Sequence, residues 1–228
     1  MQKLLLLHGA LGSAKSLQPL KELLQNDFEV HSFSFQGHGG SELPSTDFTI
    51  AGFAYEVISF LDENQIDSIA IFGYSMGGYV GLYLAHHFPE RIQKVFTLAT
   101  KLNWTIEGSQ KEASMLNPTL IKEKVPKYAV SLEQVHGENW EQLLNKTAQM
   151  MLNLGKNQEM KDSDFEQLIN PVLLSVGDKD AMVTIEETTN AYRKIQNSQL
   201  LVWPNTVHPI ERVDVLELAH QIKKFTSN

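Results

Sequence analysis

The sequence contains no cysteine among its 228 residues. Disulfide bonds, a cysteine nucleophile and metal sites built from thiolates are therefore excluded. Long apolar runs are also missing. The run Leu4–Leu7 is too short for the core of a signal peptide, and nothing approaches the roughly 20 apolar residues of a membrane span. These absences predict a soluble, cytoplasmic protein without a membrane partner.

No stretch is rich in lysine and arginine, and the formal net charge is −8. This charge argues against nucleic acid or an anionic membrane as a partner. Apolar residues make up 42% of the chain and charged residues 20%, as in ordinary globular proteins. The length fits one domain with a full core and room for one inserted element. We expect a monomer or a small homo-oligomer.

The most informative stretch runs from an apolar segment into a serine that is flanked by glycines. Residues 69–72 are uninterrupted apolar, as in a strand buried on both faces of a parallel sheet. Gly73, Ser75 and Gly77 form the pattern G-x-S-x-G, and the following residues predict a helix. Because glycine lacks a Cβ atom, strand and helix can approach closely around a strained turn. The turn would present Ser75 as a nucleophile beside a helix N-terminus, although a plain glycine-rich turn is the alternative.

Strands alternate with helices along most of the chain. The predicted strands are residues 3–7, 28–35, 69–72, 95–99, 172–176 and 199–203. Helices are predicted at about 14–26, 49–64, 76–87 and 184–196, and at the C-terminal end. This alternation implies right-handed crossovers. It predicts an α/β fold whose mostly parallel sheet carries helices on both faces.

The alternation stops after Thr100. Residues of about 101–170 contain helical patches and no convincing strand, so we predict a helical insertion there, between two parts of one core at 1–100 and 171–228. Large apolar side chains of the insertion could line a substrate pocket or could simply pack the insertion onto the core. These residues are Trp104, Met115, Trp140, Met150 and Met151.

A serine hydroxyl needs an adjacent base, and the base needs an acceptor that orients it. In open α/β sheets such groups gather at the carboxyl ends of the strands. His208 is the candidate base because it lies in a loop after the last predicted strand. Asp178 and Asp180 both follow the strand at 172–176, and either could orient the histidine. Asp178 could instead be a turn residue that bonds its own backbone.

These motifs together resemble the α/β-hydrolase family over nearly the whole chain. His8-Gly9 resembles the family's HG motif after a strand, and residues 36–41 resemble its G-H-G-x-S turn. Residues 177–183 are similar to its G-x-x-D-x-x-V pattern, which implies that Asp180 is the acid. The resemblance starts at what is usually the family's third strand. It also departs at Gln36, where the family often has an aspartate.

The resemblance implies a carboxylesterase-like serine hydrolase. Such an enzyme cleaves an ester or related acyl bond of a small molecule through an acyl-enzyme on Ser75, without metal or cofactor. The backbone N–H groups of Ala10 and Met76 would form the oxyanion hole, and the insertion would be a lid.

Two other functions remain open. One is a lyase similar to the triad-bearing enzyme of menaquinone biosynthesis, although Tyr79 stands where that enzyme has an arginine. The other is a ligand sensor that keeps the triad and acts through a partner protein.

Overall fold

The computed structural model describes residues 1–227. Within them, the strands are β1 (Gln2–Leu7), β2 (Phe28–Ser32), β3 (Ile69–Tyr74), β4 (Ile92–Leu98), β5 (Val172–Gly177) and β6 (Ser198–Trp203). They form one sheet in the order β2-β1-β3-β4-β5-β6, and every neighbouring pair is parallel. The predicted α/β architecture is confirmed.

Helices follow most of the strands and cover both faces of the sheet. They are α1 (Gln18–Leu24), α2 (Ile50–Glu63), α3 (Met76–His87), α4 (Ile106–Ser114), α5 (Pro118–Lys124), α6 (Pro126–His136), α7 (Trp140–Lys156), α8 (Asp162–Glu166), α9 (Ile185–Lys194) and α10 (Val215–Ser227). Because strand side chains alternate between faces, Leu5 and Leu7 pack with α2, α3 and α9, whereas Leu4 and Leu6 pack with α1 and α10. The leucine run of β1 is therefore buried on both sides.

Several predicted elements differ from the structure at their ends, among them β4, which begins at Ile92 and not at residue 95. β2 ends at Ser32 rather than at Phe35, because β1 offers no partner beyond Leu7 and the Phe35 N–H donates to the His8 ring instead. The first helix begins with a 3₁₀ turn over Ala14–Leu17 and becomes α-helical at Gln18. A proline in the first turn of α1 favours this boundary, since it has no N–H to donate there.

The carboxyl ends of β1 and β3 lie side by side, with Leu7 opposite Gly73. From β1 the chain passes to β2 on one side of the sheet and later to β3 on the other. In open α/β sheets the crevice that binds ligands lies at this change of direction. His8 follows β1 and Ser75 follows β3, so both residues are placed at the crevice.

The segment between β4 and β5 is helical. Residues 101–170, all of which the structure describes, form α4 to α8 with a short 3₁₀ turn and contain no strand. On one side of α7, Leu143, Met150 and Met151 pack onto the core of the sheet. On its other side, Trp140 and Leu144 pack with α5 and α6. No helix of the described chain combines the length and apolar character needed to cross a bilayer.

A few polar contacts attach this helical segment to the sheet body. The Glu159 carboxylate accepts the N–H groups of Ile50 and Ala51 at 2.9 and 2.8 Å and so caps the N-terminus of α2. The Met160 N–H donates to the Tyr79 hydroxyl at 3.1 Å. Beside the apolar packing, the polar contacts of the segment thus join side chains to backbone groups. Its behaviour as a lid stays a prediction.

Candidate active site

Ser75 lies in a strained turn between β3 and α3, with φ +52° and ψ −115°. A Cβ atom on Gly73 would lie 2.4 Å from the Gly77 carbonyl oxygen, and one on Gly77 would lie 2.4 Å from the Leu7 oxygen. Both positions therefore require glycine. The Thr100 hydroxyl donates to the Ser75 carbonyl at 3.0 Å and holds the turn from below.

His208 and Asp180 form a hydrogen-bonded pair. His208 Nδ1 lies 2.7 Å from Asp180 Oδ2, and the aspartate side chain is fully buried. Its other oxygen accepts the N–H groups of Met182 and Val183, each at 2.8 Å. Because a carboxylate only accepts, His208 Nδ1 carries the hydrogen and Nε2 is the nitrogen that can take up a proton.

Asp178 occupies a different position on the same loop. Its Oδ1 accepts the Thr206 N–H at 3.2 Å, which ties the loop after β5 to the loop after β6. Of the two aspartates that the sequence offered, the structure brings Asp180 to His208 and leaves Asp178 as a loop residue. Side chains two residues apart point in different directions here, as is usual in an irregular loop.

Two backbone N–H groups are available beside the serine. Within residues 1–227, the N–H groups of Ala10 and Met76 donate to no protein acceptor. Met76 is the first residue of α3, so its N–H is one of the free donors at a helix N-terminus. A Cβ atom on Gly9 would lie 3.2 Å from Ser75 Cβ, which shows how closely the loop after β1 passes the serine. This arrangement can stabilise negative charge on an oxygen next to Ser75.

Comparisons with known proteins identify the family of the chain. The model of a family described as alpha/beta hydrolase fold matches residues 3–117, which are 115 of the 228 residues. The chain belongs to the alpha/beta hydrolase family. The resemblance of its motifs to this family is thereby confirmed.

Similar proteins include enzymes of this family. The 3-oxoadipate enol-lactonase 2 of Acinetobacter baylyi is 38% identical over 76 residues, 33% of this chain and 28% of that protein. A serine hydrolase-like protein of Homo sapiens is 31% identical over 144 residues, 62% of this chain and 70% of the relative. The chain thus spans well under half of the lactonase, and the larger part of the human protein.

A solved structure matches over the whole chain. The thermophilic esterase of Thermogutta terrifontis has a TM-score of 0.83 at 18% identity, covering 100% of this chain and 90% of the esterase. At this identity the likeness shows the fold.

Two cavities of very different size adjoin Ser75 in the described part of the chain. The larger has a volume of about 530 Å³ and is lined by Ser75 and His208 on the side of the sheet and by α4, α6 and α7 on the other. The smaller measures about 30 Å³ and is mainly apolar. Its walls include Ile50, Met76, Tyr79 and Leu154.

The predicted pocket residues divide between these cavities, with one exception. Met115 lines the larger cavity, Trp104 and Met150 line the smaller, and Met151 lines both. Trp140 is not among the lining residues of either cavity. It is buried instead against Leu144 and the side chains of α5 and α6, because its side of α7 faces these helices and not the sheet. For Trp140 the structure thus supports packing, which is one of the two alternatives that the sequence left open.

Three buried histidines lie in a row behind the HG loop. The ring centroids of His8 and His38 are 5.1 Å apart, and those of His38 and His136 are 6.0 Å apart. Burial lowers the pKa of His8 to about 4 and that of His38 to about 3, so both rings are neutral at pH 7. No group of three or more His, Asp or Glu residues in the described chain is placed to hold a metal ion.

His136 joins the helical segment to both glycine-containing loops of the body. Its Nε2–H donates to the Leu11 carbonyl at 2.9 Å, and its Nδ1 accepts the Gly39 N–H at 3.0 Å. Burial lowers its pKa, which favours the neutral ring that this pattern requires. Sequence reasoning missed His136 because a lone histidine in a helical insertion carries no signal of its partners.

Tyr74 was also missed, although it occupies the first variable position of G-x-S-x-G. Its hydroxyl donates to the His208 carbonyl at 2.9 Å. Burial raises the pKa of Tyr74, so the hydroxyl keeps its proton for this bond. The serine strand therefore also fixes the backbone that carries the histidine.

Proposed function

We propose that this protein is a serine hydrolase that cleaves an ester or related acyl bond through an acyl-enzyme on Ser75. The observation that carries the proposal is the 2.7 Å contact between His208 and the buried Asp180, at a cavity that Ser75 also lines. A neutral histidine oriented in this way can accept the serine proton, and the buried carboxylate then stabilises the imidazolium.

The proposed reaction has two halves. In the first, Ser75 Oγ attacks the carbonyl carbon, its proton passes to His208 Nε2, and the N–H groups of Ala10 and Met76 bind the oxyanion. His208 then returns the proton to the leaving alcohol as the ester bond breaks. In the second half, water attacks the acyl carbon, gives a proton to His208, and the acid leaves as Ser75 regains its proton.

The two cavities suggest where each part of the substrate lies. His208 lines the larger cavity and not the smaller, and it has to reach the oxygen of the leaving group. We therefore place the alcohol part in the larger cavity and the acyl part in the smaller. Since a cavity needs roughly 10–15 Å³ for one water, about 30 Å³ suits a short acyl group. The segment 101–170 would act as the lid over both.

A panel of 4-nitrophenyl esters from acetyl to decanoyl tests this function. We expect the highest kcat/KM for the acetyl or propionyl ester, and mass spectrometry should find the acyl group on the peptide that contains Ser75. Ser75→Ala should lose ~10⁴-fold or more in kcat with nearly unchanged thermal stability. Retention of more than a tenth of the activity in Ser75→Ala would remove Ser75 from the mechanism.

The cavity lining and the ester assay also bear on the two other functions, the lyase and the ligand sensor. No arginine lines either cavity of the described chain, so a carboxylate-rich substrate of the lyase kind would lack a guanidinium partner. A sensor would acylate once and turn over slowly, whereas an enzyme would release many equivalents of nitrophenol.

A further inference from the structure

Glu112 is a buried acid in the helical segment. It lies on α4, on the same face as the buried Ser109, and only 5% of its surface is exposed. It also lines the larger cavity, together with Ser75 and His208. Its carboxylate forms no ion pair or hydrogen bond with any residue from 1 to 227.

Other carboxylates of the helical segment and of the body do have partners. Glu159 accepts two backbone N–H groups. Glu187, which is also buried, accepts the N–H groups of Leu102 and Asn103 and lies 3.7 Å from Lys101 Nζ. Glu112 is buried as a residue, but its carboxylate oxygens are not enclosed by protein and are reached from the larger cavity. Since no protein group donates to them, a hydrogen-bond donor for Glu112 has to come from the contents of the cavity.

The neighbouring groups of the cavity do not supply this donor. His136 lines the same cavity, but both of its ring nitrogens are engaged by Leu11 and Gly39. Lys15 also lines it, yet its side chain is exposed and forms no ion pair among the described residues. The remaining charged group besides His208 is Glu211, which is exposed and of the same sign as Glu112.

We propose that Glu112 binds a primary or secondary ammonium group on the alcohol part of the substrate. An ammonium N–H would donate to the carboxylate, neutralise its charge and form the stronger, charge-assisted type of hydrogen bond. That this group belongs to a substrate, and to its alcohol part, rests on the function proposed above. Binding of an amine at Glu112 does not depend on catalysis and can be measured separately.

Calorimetry with three six-carbon probes tests the binding step. Hexylamine, 1-hexanol and hexanoate have similar length and differ in the polar end. We expect the wild-type protein to bind hexylamine roughly 10- to 100-fold more tightly than hexanol, and to bind hexanoate worst, in line with a charged hydrogen bond at a buried site. Hexylamine should also raise the melting temperature.

Glu112→Gln keeps the shape and removes the charge, so it should abolish the preference for the amine and keep or raise the stability of the free protein. Glu123→Gln is the matched control, because Glu123 is an exposed acid of α5 that lines neither cavity. This control should bind like the wild type. An amine preference that survives Glu112→Gln overturns the assignment, as does equal binding of amine and hexanol by the wild type.

A kinetic comparison then tests the role in a substrate. Acetate esters of 6-amino-1-hexanol and of 1-hexanol should differ in kcat/KM in favour of the amino ester, mainly through KM, and Glu112→Gln should remove this difference. If neither ester is hydrolysed while hexylamine still binds through Glu112, the proposed hydrolase function fails and the amine site stands. If both are hydrolysed equally well by the wild type, the amine site plays no part in substrate choice and the proposal fails.

Discussion

The sheet body and the helical segment build the candidate site in different ways. In the body, backbone geometry fixes the turn around Ser75, where a Cβ atom on Gly73 or Gly77 would meet backbone atoms at 2.4 Å. The helical segment is instead attached by single side chains such as Glu159 and His136, each of which bonds to backbone groups of the body. The body thus fixes the turn that carries Ser75 through its backbone, while the helical segment that lines the other side of the larger cavity is joined to the body by few polar contacts.

Two glycine variants test this difference between the sheet body and the helical segment, and the first has the largest expected effect. Gly77→Ala would place a Cβ atom against the carbonyl groups of Leu7 and His8. Because backbone atoms of the sheet cannot move away easily, we expect a loss of more than about 4 kcal/mol in the free energy of unfolding. Gly155→Ala meets the Ser109 side chain first, at the contact of α4 with α7. There we expect about 1–3 kcal/mol, because one helix can shift against the other.

Urea unfolding of both variants, with the wild type as reference, measures this difference. Gly155→Ala should also change the preference among ester substrates, since α4 and α7 line the larger cavity. Equal destabilisation by the two substitutions would show that the helical segment is as rigidly built as the body.

The second largest effect distinguishes two acids of the body. Asp180→Asn keeps the size but loses the charge that selects the His208 tautomer, so we expect a loss of as much as ~10⁴ in kcat. Asp178→Asn can still accept the Thr206 N–H and should cost less than ~10-fold. Both are measured on 4-nitrophenyl acetate. If Asp178→Asn shows the large loss in kcat, Asp178 and not Asp180 orients His208. If both variants keep nearly the wild-type kcat, the acid lies on another loop.

The difference between the sheet body and the helical segment also explains how much could be predicted from the sequence. The strands, the glycine turns and the position of His208 after the last strand were predictable, because few residue types satisfy the geometry of the body. The residues alone left Asp178 and Asp180 open, and only the resemblance to the family's G-x-x-D-x-x-V pattern favoured Asp180. The helical segment was predicted only as helical. The choice between lining a pocket and packing stayed open for Trp140, since the side of α7 that faces the sheet depends on tertiary packing.

Glu112 and His136 were not found for a related reason. Each is a single polar residue on the buried face of a helix, and helical periodicity does not report which group lies opposite. The residues of α4 around Glu112 are mostly polar, so the sequence has no apolar periodicity there that would mark Glu112 as buried.

A third prediction concerns the stability of the fold at low pH. Burial lowers the pKa of His8 from 6.5 to about 4 and that of His38 to about 3, so the folded protein binds fewer protons than the unfolded chain below pH 6.5. Stability should therefore be complete above about pH 6.5 and fall as the pH decreases towards 4 and then 3. The expected total for the two rings is on the order of a few kcal/mol.

Urea midpoints from pH 7 to pH 4 measure this loss. His38→Leu removes one titrating ring and should make the dependence on pH shallower. The control His220→Leu replaces an exposed histidine of α10 and should leave it unchanged. An equally steep dependence in His38→Leu would assign the acid sensitivity to other groups.

The smallest expected effect lies where body and helical segment meet, at His136. His136→Leu would leave the Gly39 N–H and the Leu11 carbonyl without partners, at about 1–3 kcal/mol in stability. Leu11 has φ +59° and directly follows Ala10, so a loosened Leu11 carbonyl should also misplace the Ala10 N–H. We expect kcat on 4-nitrophenyl acetate to fall roughly 10-fold with little change in KM.

His136→Gln offers one donor and one acceptor, as the neutral histidine does, and should recover part of both losses. If His136→Leu lowers the melting temperature but leaves kcat unchanged, His136 only attaches the helical segment to the sheet body and does not position the Ala10 N–H. A loss of kcat that Gln restores together with stability shows that the helical segment positions a reacting group of the body. In that case the two regions are coupled at the His136 ring, and the position of the Ala10 N–H depends on the helical segment.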